Sequence, residues 1–445
     1  MIKKQSDFLS SLKKWGFKVN EQNKVLKTIK ELESFHKKFE NDRFDLKYDV
    51  DGLVYKINSL DLQNRLGFTS NSPRWAIAHK FSAESAFSLI TDINIQVGRT
   101  GALTPVARIK PVNIGGVVVS NATLHNEDEI NRKDIRIGDT VKVERAGDVI
   151  PHVILVDFKK REKKSKKFIF PNNCPSCGSK TIKEFNKLTK KYDAVRRCTN
   201  DGYDCEKIAI EKIKHFISKE ALNIDGLGKK VVEKFWDLQL IRFPQDIFNL
   251  DYTQISKLEG WGDLSVSNLK FSINQSKKVS LDRFLYSLGI RHIGLENAKL
   301  LAEYTKSISN FLNFIKNKKI IEFLNIDGIG ETQINSLKKF FENKSNYKII
   351  EKLSSLLDIS DLKLNKDGKL LNSTFMFTGK LSNMSRAEAK SLIEENSGSV
   401  VSSVNKKLKY LIIGEKPTNR KVQQAKELGN KNFITKGMAL FTRLG

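Results

Sequence analysis

Apolar residues recur along this chain in three rhythms, and the changes of rhythm divide it. Between Phe8 and Trp15, and again from Val25 to Phe39, they return at helical spacing, which predicts two amphipathic helices, the first stopped by Gly16. Val50 to Ile57 reads as a strand. From about Ile93 to Phe158 the pattern shortens into brief runs punctuated by glycine, such as Ile95-Gln96-Val97-Gly98, Gly115-Gly116-Val117-Val118-Val119 and Thr140-Val141-Lys142-Val143. Strands so spaced predict a small barrel or sandwich. Residues 207 to about 345 return to helical spacing, broken by Gly-x-Gly turns, and 346–371 hold one more helical stretch and a polar connector. From Ser373 the chain alternates β and α, with an amphipathic helix expected over Ser385 to Glu395. The fold class is therefore multidomain α+β.

Charge narrows the partners. Lysine and arginine number 78 against 51 acidic residues, a formal net charge of +27. Such an excess points to a polyanion, because lysine and arginine displace counterions from phosphates. The amino terminus lacks the apolar core of a secretory signal, and no stretch approaches the roughly 18 apolar residues of a membrane helix. The expectation is a cytoplasmic, monomeric protein without membrane contact. A basic run, Lys159 to Lys167, precedes a cluster holding all four cysteines.

That cluster has the spacing of a metal site. Cys174-Pro-Ser-Cys177 forms a two-residue knuckle, and Cys198 and Cys205 follow as a looser pair. Four thiolates with no position left for water predict structural rather than catalytic zinc. In a reducing compartment disulfides are the weaker reading.

Four glycine turns then repeat at intervals of 34, 32 and 36 residues: Ile224-Asp225-Gly226-Leu227-Gly228, Leu258-Glu259-Gly260-Trp261-Gly262, Ile290-Arg291-His292-Ile293-Gly294 and Ile326-Asp327-Gly328-Ile329-Gly330. Each resembles a helix-hairpin-helix turn, whose backbone N–H groups face a DNA phosphate. The resemblance makes Gly226, Gly228, Gly260, Gly262, Gly294, Gly328 and Gly330 candidate DNA contacts; His292 stands where the third turn should have glycine. Such hairpins grip backbone rather than bases, so duplex binding should be independent of sequence. The last segment, with Thr374-Phe375-Met376-Phe377-Thr378-Gly379 and Lys409-Tyr410-Leu411-Ile412-Ile413-Gly414, resembles a BRCT domain. A docking role is favoured there over phosphate binding at Thr378-Gly379. The stretch from Ile434 to Gly445 departs from the expected last helix.

Asp51-Gly52-Leu53-Val54-Tyr55-Lys56 and Lys80-Phe81 resemble the last two nucleotidyltransferase motifs of NAD-dependent DNA ligases. Longer stretches extend the likeness: Leu66-Gly67-Phe68-Thr69, Pro73-Arg74-Trp75-Ala76, Gln96 to Gly101, Ser120 to Asn126 and Arg145 to Pro151. The module order is similar to that of the bacterial family. It implies the C-terminal part of a nucleotidyltransferase domain (1–90), an OB-fold β-barrel (91–160), a zinc finger (170–207), all-α helix-hairpin-helix repeats (208–345), a linker (346–371) and an α/β BRCT domain (372–445). By resemblance Lys56 and Lys80 offset charge on the reacting phosphates, Asp51 lies beside adenylate and metal, Arg43 contacts the nucleotide, and Arg99 and Arg145 act at the nick. NAD and Mg²⁺ are the implied cofactors of the intact enzyme, and nicked double-stranded DNA its partner in replication and repair. The strand periodicity adds that Asp51 belongs in a turn with Gly52, since five positions along one strand would put Asp51 and Lys56 on opposite faces.

The sequence contains no Lys-x-Asp-Gly, the motif of the family's nucleophilic lysine; the nearest likeness is Lys366-Asp367-Gly368. The expectation is an amino-terminally truncated ligase that also lacks the nicotinamide mononucleotide-binding segment and forms no covalent adenylate alone. Its first 90 residues would carry uncovered apolar surface. A non-catalytic protein that binds nicked duplex DNA is the alternative, and a nuclease or glycosylase a distant third.

Overall fold

The computed structural model describes residues 2–69, 72–145, 150–186, 190–200, 202–361, 369–371, 373–381, 389, 392–393, 396–401, 404, 408–429 and 432–435. The chain forms two compact units, Met1–Glu211 and Lys212–Gly445.

The first unit opens with helices α1 (Gln5–Lys14) and α2 (Ile29–Asp42). The second starts four residues later than the apolar pattern suggests, because the Thr28 side chain accepts from the Glu31 N–H and fixes the N-cap there. Val25 is left outside the helix and 57% exposed. A two-stranded antiparallel sheet follows, β1 (Gly52–Lys56) with β2 (Ala76–Lys80), joined through α3 (Leu60–Leu66). Burial is thin here: Phe39 and Phe81 are buried, whereas Trp15, Phe17, Val54, Phe68 and Ile77 all exceed 59% exposure. The expectation of uncovered apolar surface is met.

Strands β3 (Glu84–Val97), β4 (Leu103–Ile114), β5 (Val117–Thr123), β6 (Thr140–Arg145) and β7 (His152–Val156), with α4 (Glu127–Lys133) between β5 and β6, close into a barrel of order β3-β4-β5-β7-β6. Of the two architectures the sequence left open, the barrel is realised because one strand serves two neighbours. Glu84 to Leu89 pair with β6, Ile90 to Val97 pair with β4, and an irregularity between Ile90 and Asp92 bends the strand where it changes partner. Alternate residues such as Leu103, Ala107, Val141 and Val143 fill the interior. The same core runs on into Cys174, Cys198, Cys205 and Ile208. The hairpin β8 (Thr181–Asn186) and β9 (Lys191–Cys198) lies within this cysteine segment.

Helix α5 (Glu206–Phe216) carries the chain into the second unit. There α6 (Lys229–Asp237), α7 (Tyr252–Ile255) and α8 (Asp263–Ser276) are followed by β10 (Lys278–Ser280), α9 (Leu281–Ser287), α10 (Leu295–Thr305), α11 (Ile308–Lys316), α12 (Glu331–Glu342), α13 (Lys344–Leu356) and β11 (Asp358–Ser360), the last parallel to β10. Then β12 (Thr374–Thr378), β13 (Ser399–Val400), β14 (Tyr410–Ile413) and β15 (Asn432–Thr435) form a parallel sheet of order β13-β12-β14-β15, with α14 (Asn419–Glu427) before the last strand. Alternation sorts its side chains into two cores. Phe375, Phe377 and Ile412 face Ala389 and Ile393, while Met376 and Leu411 face Ala425. Both faces are covered, as a parallel sheet requires. Most of the helix expected over Ser385 to Glu395, and everything after Thr435, lies outside the described residues.

Candidate functional site

The antiparallel register of β1 and β2 pairs Gly52 with Lys80 and Lys56 with Ala76. Paired residues share a face, so Lys56 and Lys80 project from the same side of the sheet. Their backbones stand four positions apart, about 14 Å at a strand's rise per residue. Asp51 immediately precedes the strand and accepts an ion-paired hydrogen bond from Lys80 Nζ. Gly52, expected in a turn with Asp51, opens the strand instead, and the Asp51 carbonyl accepts from the Phe81 N–H at 3.0 Å, so the pairing runs one residue further while the carboxylate reaches the Lys80 ammonium. Gly52 permits the close pairing: a Cβ there would lie 2.6 Å from the His79 carbonyl oxygen and 2.7 Å from Lys80 Cα.

Behind this sheet is a buttress that sequence reasoning missed. The His36 and His79 rings stack at 3.7 Å, and His36 Nε2 lies 3.3 Å from the Lys80 carbonyl oxygen. Tyr55 Oη lies 3.0 Å from His79 Nδ1. No motif marks these side chains, because α2 brings His36 to β2 across 43 residues of sequence. Arg43, expected at the nucleotide, is held beside the sheet rather than displayed on it. Its guanidinium lies over the Phe81 ring and donates to Glu84 Oε1 at 2.5 Å, with the side chain 16% exposed. Glu84 opens β3, paired in register with Arg145, the last residue of β6. Arg99 sits apart, in the turn between β3 and β4.

The four cysteine sulfurs all lie within 4.8 Å of one another. Sγ–Sγ separations are 3.5 Å for Cys177 and Cys198 and 4.0 Å for Cys174 and Cys205. Four sulfurs at the usual zinc–sulfur distance of about 2.3 Å, arranged tetrahedrally, stand roughly 3.8 Å apart. The geometry fits that ion. Burial pushes the Cys198 and Cys205 thiols up. Cys177 is also raised by burial, but hydrogen bonds from Ser179 outweigh this and bring it to about 7. A cation is what would make thiolates of all four.

In the second unit the glycine turns separate into two kinds of position. Gly226, Gly260 and Gly328 have φ of +89°, +83° and +94°, and His292 takes the same left-handed conformation at +62°. The third turn therefore keeps its shape without glycine. Gly228, Gly262, Gly294 and Gly330 instead cap the following helices with extended backbone, and at the first three a Cβ would meet nothing within 4 Å. Neither conformation nor internal packing demands glycine there. The turns also differ in their amides. Gly262 N–H donates to Ser265 Oγ at 2.9 Å and Gly330 N–H to Gln333 Oε1 at 3.1 Å. Gly228 N–H has no partner among the described residues, and Lys229 and Lys230 follow it.

At the carboxyl-terminal sheet, Thr378 is 1% exposed and its Oγ1 accepts from the Thr418 N–H at 3.0 Å. The Oγ1 atom thereby holds the start of α14.

Comparison with known proteins follows the same divisions. Residues 1–84 match the model of the NAD-dependent DNA ligase adenylation domain and 87–165 that of the NAD-dependent DNA ligase OB-fold domain. Residues 283–350 match the helix-hairpin-helix motif and 365–431 the BRCA1 C Terminus (BRCT) domain. A DNA ligase of Pelagibacter ubique is 64% identical over 427 residues, covering 96% of this chain and 63% of the relative. DNA ligases of Parvibaculum lavamentivorans and of Wolbachia pipientis subsp. Culex pipiens are 44% and 45% identical, each over 96% of this chain and over 61% and 65% of their own lengths. The chain thus spans about three fifths of these curated relatives. Carrying both of the family's dedicated domain matches in its own order, with this identity along nearly its whole length, the chain belongs to the NAD-dependent DNA ligase family.

Proposed function

We propose that this chain serves the sealing of 3′-hydroxyl/5′-phosphate nicks in duplex DNA, supplying the clamp on DNA and the phosphate-facing part of the nucleotidyl site. The observation that carries the reading is the pair Lys56 and Lys80 on one face of β1–β2, with Asp51 bound to Lys80. In the sealing step the 3′-hydroxyl oxygen attacks the phosphorus of an adenylated 5′ end. A new P–O bond forms, the bond to AMP breaks, and AMP leaves with the electron pair while the hydroxyl proton passes to solvent or a base. Negative charge accumulates on the phosphate oxygens, where the Lys56 and Lys80 ammonium groups stabilise it, Lys80 by exchanging its Asp51 partner for the phosphate. Mg²⁺, when bound, would supply further charge neutralisation, and Asp51 is the carboxylate that would hold it. Arg43 contacts the nucleotide only by exchanging Glu84 for it.

Arg99 and Arg145 on the barrel, and the amides at Gly226 to Gly228, Gly260 to Gly262, Gly294 and Gly328 to Gly330, hold the DNA backbone in this reading. The open space at the helix-capping glycines supports it, because a phosphate can approach there without meeting a side chain. The cysteine cluster holds structural zinc. The protein acts as a cytoplasmic monomer.

The test uses the 445-residue chain with Mg²⁺ and a nicked duplex whose 5′ end is already adenylated. The expected result is a joined strand and free AMP, lost in Lys56→Ala and Lys80→Ala. Tight nick binding with no joining would instead leave a non-catalytic DNA-binding protein.

A further inference from the structure

The basic run between the barrel and the cysteine cluster has no part in the proposed chemistry, yet it is not a loose linker. Its sequence is Lys159-Lys160-Arg161-Glu162-Lys163-Lys164-Ser165-Lys166-Lys167. Arg161 is the single arginine, and it is the basic side chain turned inward, 12% exposed. It donates from Nε to Asp139 Oδ1 at 2.8 Å and from one terminal nitrogen to Asp139 Oδ2 at 2.7 Å; the other reaches Asp134 Oδ2 at 2.5 Å. The Asp139 carboxylate is fully buried. A second clamp follows four residues on, where Arg136 donates to the Ser165 carbonyl oxygen at 2.7 Å. Arg161 and Ser165 are the half-buried positions of the run, and every lysine between and beside them is exposed.

Five of those lysines, Lys159, Lys163, Lys164, Lys166 and Lys167, have no ion-pair partner among the described residues; Lys160 lies 3.8 Å from Asp157. Five uncompensated charges on nine residues repel one another, and a flexible segment would spread them. Here two half-buried arginine clamps, Arg161 and Arg136, hold the backbone that displays them. We propose that this clamped track is an additional docking surface for the phosphate backbone of duplex DNA, separate from the barrel arginines and the glycine hairpins. A polyanion is the partner that relieves the repulsion, and a backbone fixed beforehand loses less conformational entropy on binding. The inference rests on the reading of the chain as a DNA-binding protein and adds a surface to it.

Binding of a nicked duplex to the full chain, measured by fluorescence anisotropy from 50 to 200 mM NaCl, tests this. The triple variant Lys164→Gln, Lys166→Gln, Lys167→Gln changes only exposed side chains. A second triple variant, Lys344→Gln, Lys348→Gln, Lys352→Gln, removes the same charge from α13. If each lysine of the track meets a phosphate, the slope of log affinity against log salt falls by about 0.9 per lysine, about 2.7 in all. Over that fourfold salt range the loss of affinity shrinks by roughly 40-fold relative to the unaltered chain. The α13 variant should change the slope by less than about 1. A track variant that keeps the unaltered chain's steep slope, or that matches the α13 variant, overturns the docking surface while leaving DNA binding in place. A full chain that shows no salt-dependent binding at all overturns both.

Discussion

Replacing Gly52 with alanine tests why the motif contains glycine at all. Gly52 does not occupy the left-handed region, so its conformational freedom is not the reason. The reason is its neighbour across the sheet. An added Cβ would sit 2.6 Å from the His79 carbonyl oxygen and 2.7 Å from Lys80 Cα, both backbone atoms with no rotamer to retreat into. Ordinary contacts lie near 3.5 Å, so β1 and β2 must part by roughly 0.8 Å at this point. Overpacking of this kind costs about 1–3 kcal/mol. The functional cost is larger, because the strand that moves carries Lys80, and a misplacement near 1 Å can cost about 100-fold in rate. Single-turnover joining of a pre-adenylated nick should therefore fall by about two orders of magnitude in Gly52→Ala. Amide hydrogen exchange should quicken in β1 and β2 in parallel. Ile77→Ser, on the opposite face and 67% exposed, controls for a change in this small sheet and should leave both readouts near those of the unaltered chain. An alanine variant with unchanged joining and unchanged exchange would refute the close-approach argument.

Three further outcomes are expected. Gly228→Ala should leave thermal stability within about 1 kcal/mol yet weaken duplex binding by about 10-fold or more, the worth of one charge-assisted hydrogen bond. Gly330→Ala should weaken binding less, because Gln333 already takes that amide; equal effects in an anisotropy titration would sink the distinction. Stripping metal with a chelator, or Cys205→Ser, should unfold the cysteine segment and lower the melting temperature of the first unit, since structural zinc contributes about 10–16 kcal/mol of folding free energy. Metal analysis showing loss of zinc with an unchanged melting curve would refute this. At Glu127 burial pushes the carboxyl up, but Arg196 and Lys183 outweigh burial and hold it below its usual range. A depressed folded pKa gives stability that is present above the unfolded value and is lost as pH falls through the folded one. Urea midpoints of the chain and of Glu127→Gln should therefore differ at neutral pH and converge in acid; a gap that widens on acidification would contradict the sign.

Much of this was legible in the sequence because local rules decide it. Asp51 lies just before its strand, in keeping with a two-residue period that would part it from Lys56, although Gly52 opens the strand rather than turning with it. The Cys174–Cys177 knuckle was legible from its spacing, and the β8–β9 hairpin, which pairs Thr181 with Cys198, carries the looser pair back to it. What the sequence hid depends on partners distant along the chain. Barrel and sandwich share the same alternation, and only the bend that gives β3 two neighbours separates them. His36 carries no motif, and its meeting with His79 follows from how α2 packs. Arg43 reads as a nucleotide ligand from its place in the motif, whereas its contact with Glu84 comes from the barrel's first strand. His292 looked like a defect in the third turn, yet histidine tolerates the left-handed region well enough to preserve it.

The continuity of the barrel core with the cysteines bears on how this chain could be rearranged. Read as text, residues 160 to 170 look like a seam where one cassette ends and another begins. Physically no seam exists there, because Ile90, Leu103 and Val141 share one interior with Cys174, Cys198 and Ile208. A recombinant joined at that seam would have to match both halves of a single core at once. Exchangeable pieces of this protein therefore begin no later than Glu84 and end no earlier than Ile208, and swaps between related chains at those points should survive where swaps at the cysteine segment fail.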